Sequence, residues 1–277
     1  MAIDVRRLLK QGLYETQGPL QSIAGDLAEI EKVHLESAAR RKMLRHVAGL
    51  WAIAGLVCGF LAITTDSRLY NRFGTLPCLI VALALFIHSF AFGRRIIRYS
   101  SRREVARKLL AIFEQDADAQ ASFSIRLSLD SHPKLISEKP WPVRSHGKEK
   151  FFEEPWLSIA GRLLDGTILT EEVTEMSRKR TYANARGKAK VKTRCRFLVS
   201  LRFSFPKDRY AGVGQAHQAL KQPVRVPGAT KLRDVRVSGK AIALKALTQT
   251  SDQIPKATGM LALGAYRILN LAKRAAR

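Results

Sequence analysis

The sequence predicts an α+β membrane protein: a two-helix transmembrane hairpin with helical cytoplasmic extensions, and a C-terminal antiparallel β-rich domain, sandwich or barrel-like, closed by a terminal helix. Three observations carry this. Two runs of about twenty residues hold no Lys, Arg, Asp or Glu. A later stretch alternates apolar and basic residues with a period of two, and the last segment returns to a helical period.

Composition sets outer limits. A chain of 277 residues has room for one or two domains. Hydrophobic residues at 46% and charged residues at 26% exclude a disordered chain. Gly 18 and Pro 10 exclude collagen-like and linker-like classes, and Cys 3 cannot form a disulfide framework. Lys plus Arg is 48 against 23 Asp plus Glu, a net charge of +25, which bears on partners rather than on fold.

Residues 1–45 read as an N-terminal cytoplasmic helical segment. Gly12, Gly18 and Pro19 mark a short amphipathic helix and turn, and Leu20, Ile23, Leu27 and Ile30 then recur at helical spacing. Residues 46–65 form the first expected span and 73–93 the second. Each is long enough, at about 1.5 Å per residue, to cross a hydrocarbon layer of roughly 30 Å. Residues 66–72 make the external link. The first run begins too far from the start to be a cleaved signal peptide. Arg40, Arg41, Lys42 and Arg45 precede it, and Arg94, Arg95, Arg98, Arg102, Arg103, Arg107 and Lys108 follow the second run. The link holds only Arg68 and Arg72, so both termini are expected in the cytoplasm. The implied location is a cell membrane of the bacterial inner-membrane kind, spanned twice. Gly55-x-x-x-Gly59 offers a small-residue face for helix packing or self-association, and His88 in the second run is expected to pack between helices. Residues 94–118 form a cytoplasmic helical extension that either pairs with 20–45 as a stalk or restarts at the Ser101-x-x-Glu104 capping box.

Residues 119–277 form the expected basic β-rich domain. Phe123, Ile125, Leu127 and Leu129 alternate with polar residues. Residues 131–155, rich in proline and mixed charge, read as a long loop. Strands at 156–164 and 167–177 are joined by Asp165-Gly166. The clearest strand is 186–205, with Lys188, Lys190, Lys192, Arg194 and Arg196 on one parity and Val191, Cys195, Phe197, Val199 and Leu201 on the other. Residues 182–185 supply its turn. Alternation at 224–226 and 232–245 completes the sheet, 212–220 is a short helix, and 256–277 a basic amphipathic helix that covers one sheet face more readily than it lies on a membrane.

The chemistry follows charge. Residues 178–196 hold nine Lys or Arg and no acid. Arg186, Lys188, Lys190, Lys192, Arg194 and Arg196 are therefore the candidate anion-contacting residues, for lipid headgroups or an acidic protein surface. The opposing reading is a solvated face balanced by Glu171, Glu172 and Glu175 on the neighbouring strand. Phe197, Phe203 and Phe205 share the apolar parity, away from the cations, which argues against nucleic acid. The six histidines show no close pairing and no Cys-x-x-Cys occurs, so no metal site or cofactor is expected. No phosphate loop, dinucleotide fingerprint or nucleophile elbow is present, and no catalytic constellation stands out. The expectation is a non-enzymatic, membrane-tethered binding or scaffolding protein, possible as a homo-oligomer. The alternatives are an accessory subunit of a transport or envelope-assembly machine and a membrane-anchored nucleic-acid-binding protein.

Overall fold

The computed structural model describes residues 12–64, 75–118, 120–129, 133–140, 147–183, 188–206, 209–210, 212–219 and 224–275. The chain divides into two compact units, Met1–Leu27 with Ser101–Arg277, and Ala28–Ser100.

The first unit is built on an antiparallel eight-stranded sheet. Its strands are β1 (Leu13–Pro19), β2 (Ser122–Ser128), β3 (Lys134–Pro140), β4 (Lys148–Arg162), β5 (Ile168–Ala183), β6 (Ala189–Ser204), β7 (Lys231–Val237) and β8 (Ala241–Thr248). The order is β1-β2-β4-β5-β6-β8-β7, with β3 paired to the first half of β4. Helices α1 (Leu20–Thr64) and α2 (Leu76–Glu114) contribute their Leu20–Leu27 and Ser101–Glu114 parts to this unit. Helix α3 (Val213–Ala219) and helix α4 (Ile254–Ala275) complete it.

Side chains on a strand alternate between faces, so the register sorts residues into rows. Phe123, Gly161, Leu169, Phe203 and Ile242 form one row across the strands. Ile125, Ile159, Glu171, Leu201 and Leu244 form the next, and Leu127, Leu157, Val173, Val199 and Ala246 a third. Apart from Gly161, every member of these rows is buried. Helix α4 packs here: Tyr266 meets Phe203 edge-on at 5.7 Å between ring centroids, and Ile254, Leu261, Ala265, Ile268 and Leu269 are fully buried. On α2, Val105, Ala106, Leu109, Leu110 and Phe113 are buried at helical spacing. The rows between, such as Ser124, Ala160, Thr170, Arg202 and Ala243, lie on the opposite, uncovered face. Among the described residues the sheet is thus open with helices on one side, and the expected sandwich or barrel is corrected accordingly. Gly161 has a specific reason to be glycine, since a Cβ there would stand 2.1 Å from the Phe123 ring.

The second unit consists of the α1 and α2 parts between Ala28 and Ser100. Leu50, Leu56, Phe60, Ile80, Leu83 and Ile87 are exposed on it, while Ala48 and Ala82 are buried. Among the described residues, however, no helix is long and apolar enough to cross a membrane. The expected transmembrane hairpin is therefore corrected, and with it the integral-membrane character and the inner-membrane location. A run without Lys, Arg, Asp or Glu only bounds where a span can lie, whereas a span needs a sustained apolar helical segment. Residues 46–64 and 76–93 of these runs instead lie in helices of 45 and 39 residues that continue into charged sequence. The external link, 66–72, lies outside the described residues.

Local expectations also differ, since 224–226 form no strand and 232–245 is divided between β7 and β8. Residues 13–19 are strand rather than helix and pair with β2. The segment 131–155 contains β3 and the start of β4 rather than a loop. The helix α2 runs through Ser101 and Glu104 without a break.

Candidate anion-binding face

Strands β5 and β6 outrun the rest of the sheet. They pair from Ile168↔Ser204 to Ala183↔Ala189, but β8 lies along β6 only between Phe197 and Ser204. The far part of this hairpin is flanked on the β5 side by β4 and β3. All of residues 189–196 are exposed, on both faces. Exposed on both faces, this end has no apolar face to hide and tolerates charge on both sides.

The register collects the cations. On the face opposite the helices, Glu149, Arg180 and Lys192 share a row, as do Phe151, Arg178 and Arg194, and Glu153, Met176 and Arg196. Tyr182 and Lys190 close the series. Alternate residues of a strand are about 6.8 Å apart, so Lys190, Lys192, Arg194 and Arg196 form an evenly spaced line of positive charge. Arg178 stands directly opposite Arg194, and Arg180 directly opposite Lys192. Like charges facing across a ladder oppose pairing.

The counter-charges differ from those expected. Glu149 accepts a hydrogen bond from Arg178 Nε and one of 2.6 Å from Arg180 Nε. Arg178 also lies over the Phe151 ring, 5.6 Å from its centroid. Of the three glutamates expected to balance the cations, Glu171 and Glu175 lie on the helix-facing side and only Glu172 on the outer one. Among the described residues Lys190, Lys192, Arg194 and Arg196 form no ion pair. Lys188 is exposed at the strand's beginning, and Arg186 lies outside the described residues.

The helix-facing side carries a separate polar cluster. Arg102 Nη1 donates to Glu154 Oε1 at 2.8 Å and to the Ser128 carbonyl at 3.1 Å, and Nη2 donates to Glu175 Oε2 at 3.0 Å. The guanidinium lies 5.4 Å from the Trp156 ring centroid. Burial works against its charge, and the two carboxylates outweigh burial and raise its pKa. Sequence reading missed this cluster because its members lie 52 and 73 positions apart in the chain. Its charges are paired with one another, and we assign it to structure.

Gly55 is buried, and a Cβ there would meet the Leu79 side chain at 3.2 Å, so its surface is taken by α2 of the same chain. His88 is exposed, and Gly59 is part of α1. Among the described residues no group of three or more His, Cys, Asp or Glu is placed to hold a metal ion. A groove of about 630 Å³ is lined by residues that include Asp118, Ser122, Arg162, Asp165, Pro206 and Arg209. Of the carboxylates on its wall, Asp165 already accepts from Thr167 and from the Tyr210 hydroxyl at 2.8 Å, and Asp118 accepts from the Gln120 N–H at 3.1 Å. No family model, curated protein or solved structure matches this chain.

Proposed function

We propose that this chain is a non-enzymatic binding protein whose outer β4–β5–β6 face holds an acidic surface of a protein partner. The observation that carries the reading is the juxtaposition of Arg178 with Arg194 and of Arg180 with Lys192. Glu149 offsets Arg178 and Arg180, but Lys192 and Arg194 opposite them form no ion pair among the described residues, and an anionic partner offsets that remaining charge. A solvated face does not need like charges in register.

Lipid headgroups drew support from a domain held beside a bilayer, and that premise has fallen. Nucleic acid gains one aromatic from the register, because Phe151 shares the cation face. Yet Arg178 already covers Phe151, which leaves Tyr182 as the aromatic at the hairpin's end. Base stacking wants a set of open rings, so an acidic protein surface is the better fit.

The test is binding of the full chain to polyglutamate over a range of salt. Exposed charges separated by water are screened within about 8 Å at physiological ionic strength. Affinity is expected to fall steeply as salt rises. Affinity that ignores salt contradicts an electrostatic face.

A further inference from the structure

We infer that the free edge of β6 accepts an extended acidic segment of the partner as an added β-strand. The inference rests on the acidic-partner reading above and gives it a binding mode.

The edge is defined by where β8 stops. Thr248 pairs with Phe197, and the chain then leaves for the 3-10 turn Ser251–Gln253. From Ala189 to Arg196 the side of β6 away from β5 carries no strand among the described residues. Alternate residues there turn their N–H and C=O groups outward, forming half of a ladder. A strand laid against them continues the line of β8 and is held by main-chain hydrogen bonds.

Side chains select the occupant. Lys190, Lys192, Arg194 and Arg196 flank the edge on one face, and Val191, Thr193 and Cys195 on the other. A second copy of this edge would set cations against cations across the new ladder, which opposes self-pairing. A strand with Asp or Glu at alternate positions sets carboxylates against them instead. The intervening positions then meet Val191, 57% exposed, and Thr193, which suit β-branched residues. Basic residues along an edge are a common defence against aggregation. That defence turns away copies of the same edge but leaves it open to an acidic strand.

The experiment uses the full chain and a peptide alternating glutamate with valine. A second peptide of the same sequence is N-methylated at alternate residues, which removes ladder donors and keeps every charge. The unmodified peptide is expected to bind at least roughly tenfold more tightly than the methylated one. Outward-facing amides within 189–196 are expected to gain protection from hydrogen exchange when it binds. Equal binding of the two peptides overturns strand addition while leaving the cation face as an acid-binding surface. Failure of both peptides and of polyglutamate overturns the strand and the acidic-partner reading together. Binding of a single-stranded oligonucleotide in place of the peptides does the same.

Discussion

Glu171 sits in the middle of the sheet's buried face, with Ile159 and Leu201 beside it on the neighbouring strands. It is fully buried, Thr258 Oγ1 on α4 donates to its Oε1, and its Oε2 has no hydrogen-bond partner among the described residues. Burial pushes its pKa up to about 8, against a smaller lowering by the Thr258 hydrogen bond. A carboxyl that is neutral when folded and ionised when unfolded binds more protons in the native state. Its effect on stability is absent below the unfolded value near 4.5 and grows as pH rises to about 8. The unit is therefore expected to lose stability over that window, by at most about 5 kcal/mol. Glu171→Gln should flatten the dependence, matching the parent at acid pH and exceeding it at alkaline pH. Denaturant midpoints measured against pH check this, and an unchanged slope would place the titration elsewhere. Arg102 is the converse case, a buried cation with its partners in place. Arg102→Leu removes the cation that donates to Glu154, whose side chain is 6% exposed, and to Glu175, and is expected to cost about 3–5 kcal/mol. A loss below about 1 kcal/mol would show that the pair behaves like a surface bridge.

Strands β2 and β4 meet through Gly161, whose missing side chain makes room for Phe123. Gly161→Val should force the ring aside and cost about 1–3 kcal/mol or more, read as a lowered unfolding temperature. Retained stability would mean that Phe123 has another place to go. Several elements with one buried face were readable in the sequence, although the half-buried β1 was not. The strands β2, β5 and β6 alternate, and α4 repeats Leu261, Ile268 and Leu269 at helical spacing. Strand β3 and the start of β4 were not readable, because the hairpin end has water on both faces and shows no apolar period. Pro140 misled as well, although a strand's last residue on a sheet edge tolerates proline. Of the site, the parity of Lys190 to Arg196 was plain from spacing. The partners of Arg178 and Arg180 were not, since Glu149 arrives from β4, about thirty residues away and through an unread strand. The inward turn of Glu171 had a signal, its parity with Leu169 and Val173, both fully buried.

The molecule carries a net charge of +25, and its outer sheet face repeats the theme beyond the hairpin. Arg126, Arg202 and Lys245 are exposed on that face, with Glu15 opposite Arg126 and Asp234 opposite Lys245. Arg126 and Lys245 thus have acids within their rows, whereas Arg202 stands in a row without one and Lys190 and Arg194 lie in two nearby rows that hold none. Binding should therefore concentrate at the projecting end rather than spread over the face. Fluorescence anisotropy of labelled polyglutamate with the full chain, set beside the variant Lys190→Glu, Lys192→Glu, Arg194→Glu, Arg196→Glu, tests this directly. These side chains are exposed, so the variant should unfold within about 0.5 kcal/mol of the parent. Its affinity for polyglutamate is expected to drop at least roughly a hundredfold, each lost contact being worth about 0.2–1 kcal/mol and each reversal adding repulsion. A folded variant that binds polyglutamate as tightly as the parent would contradict the assignment of this face.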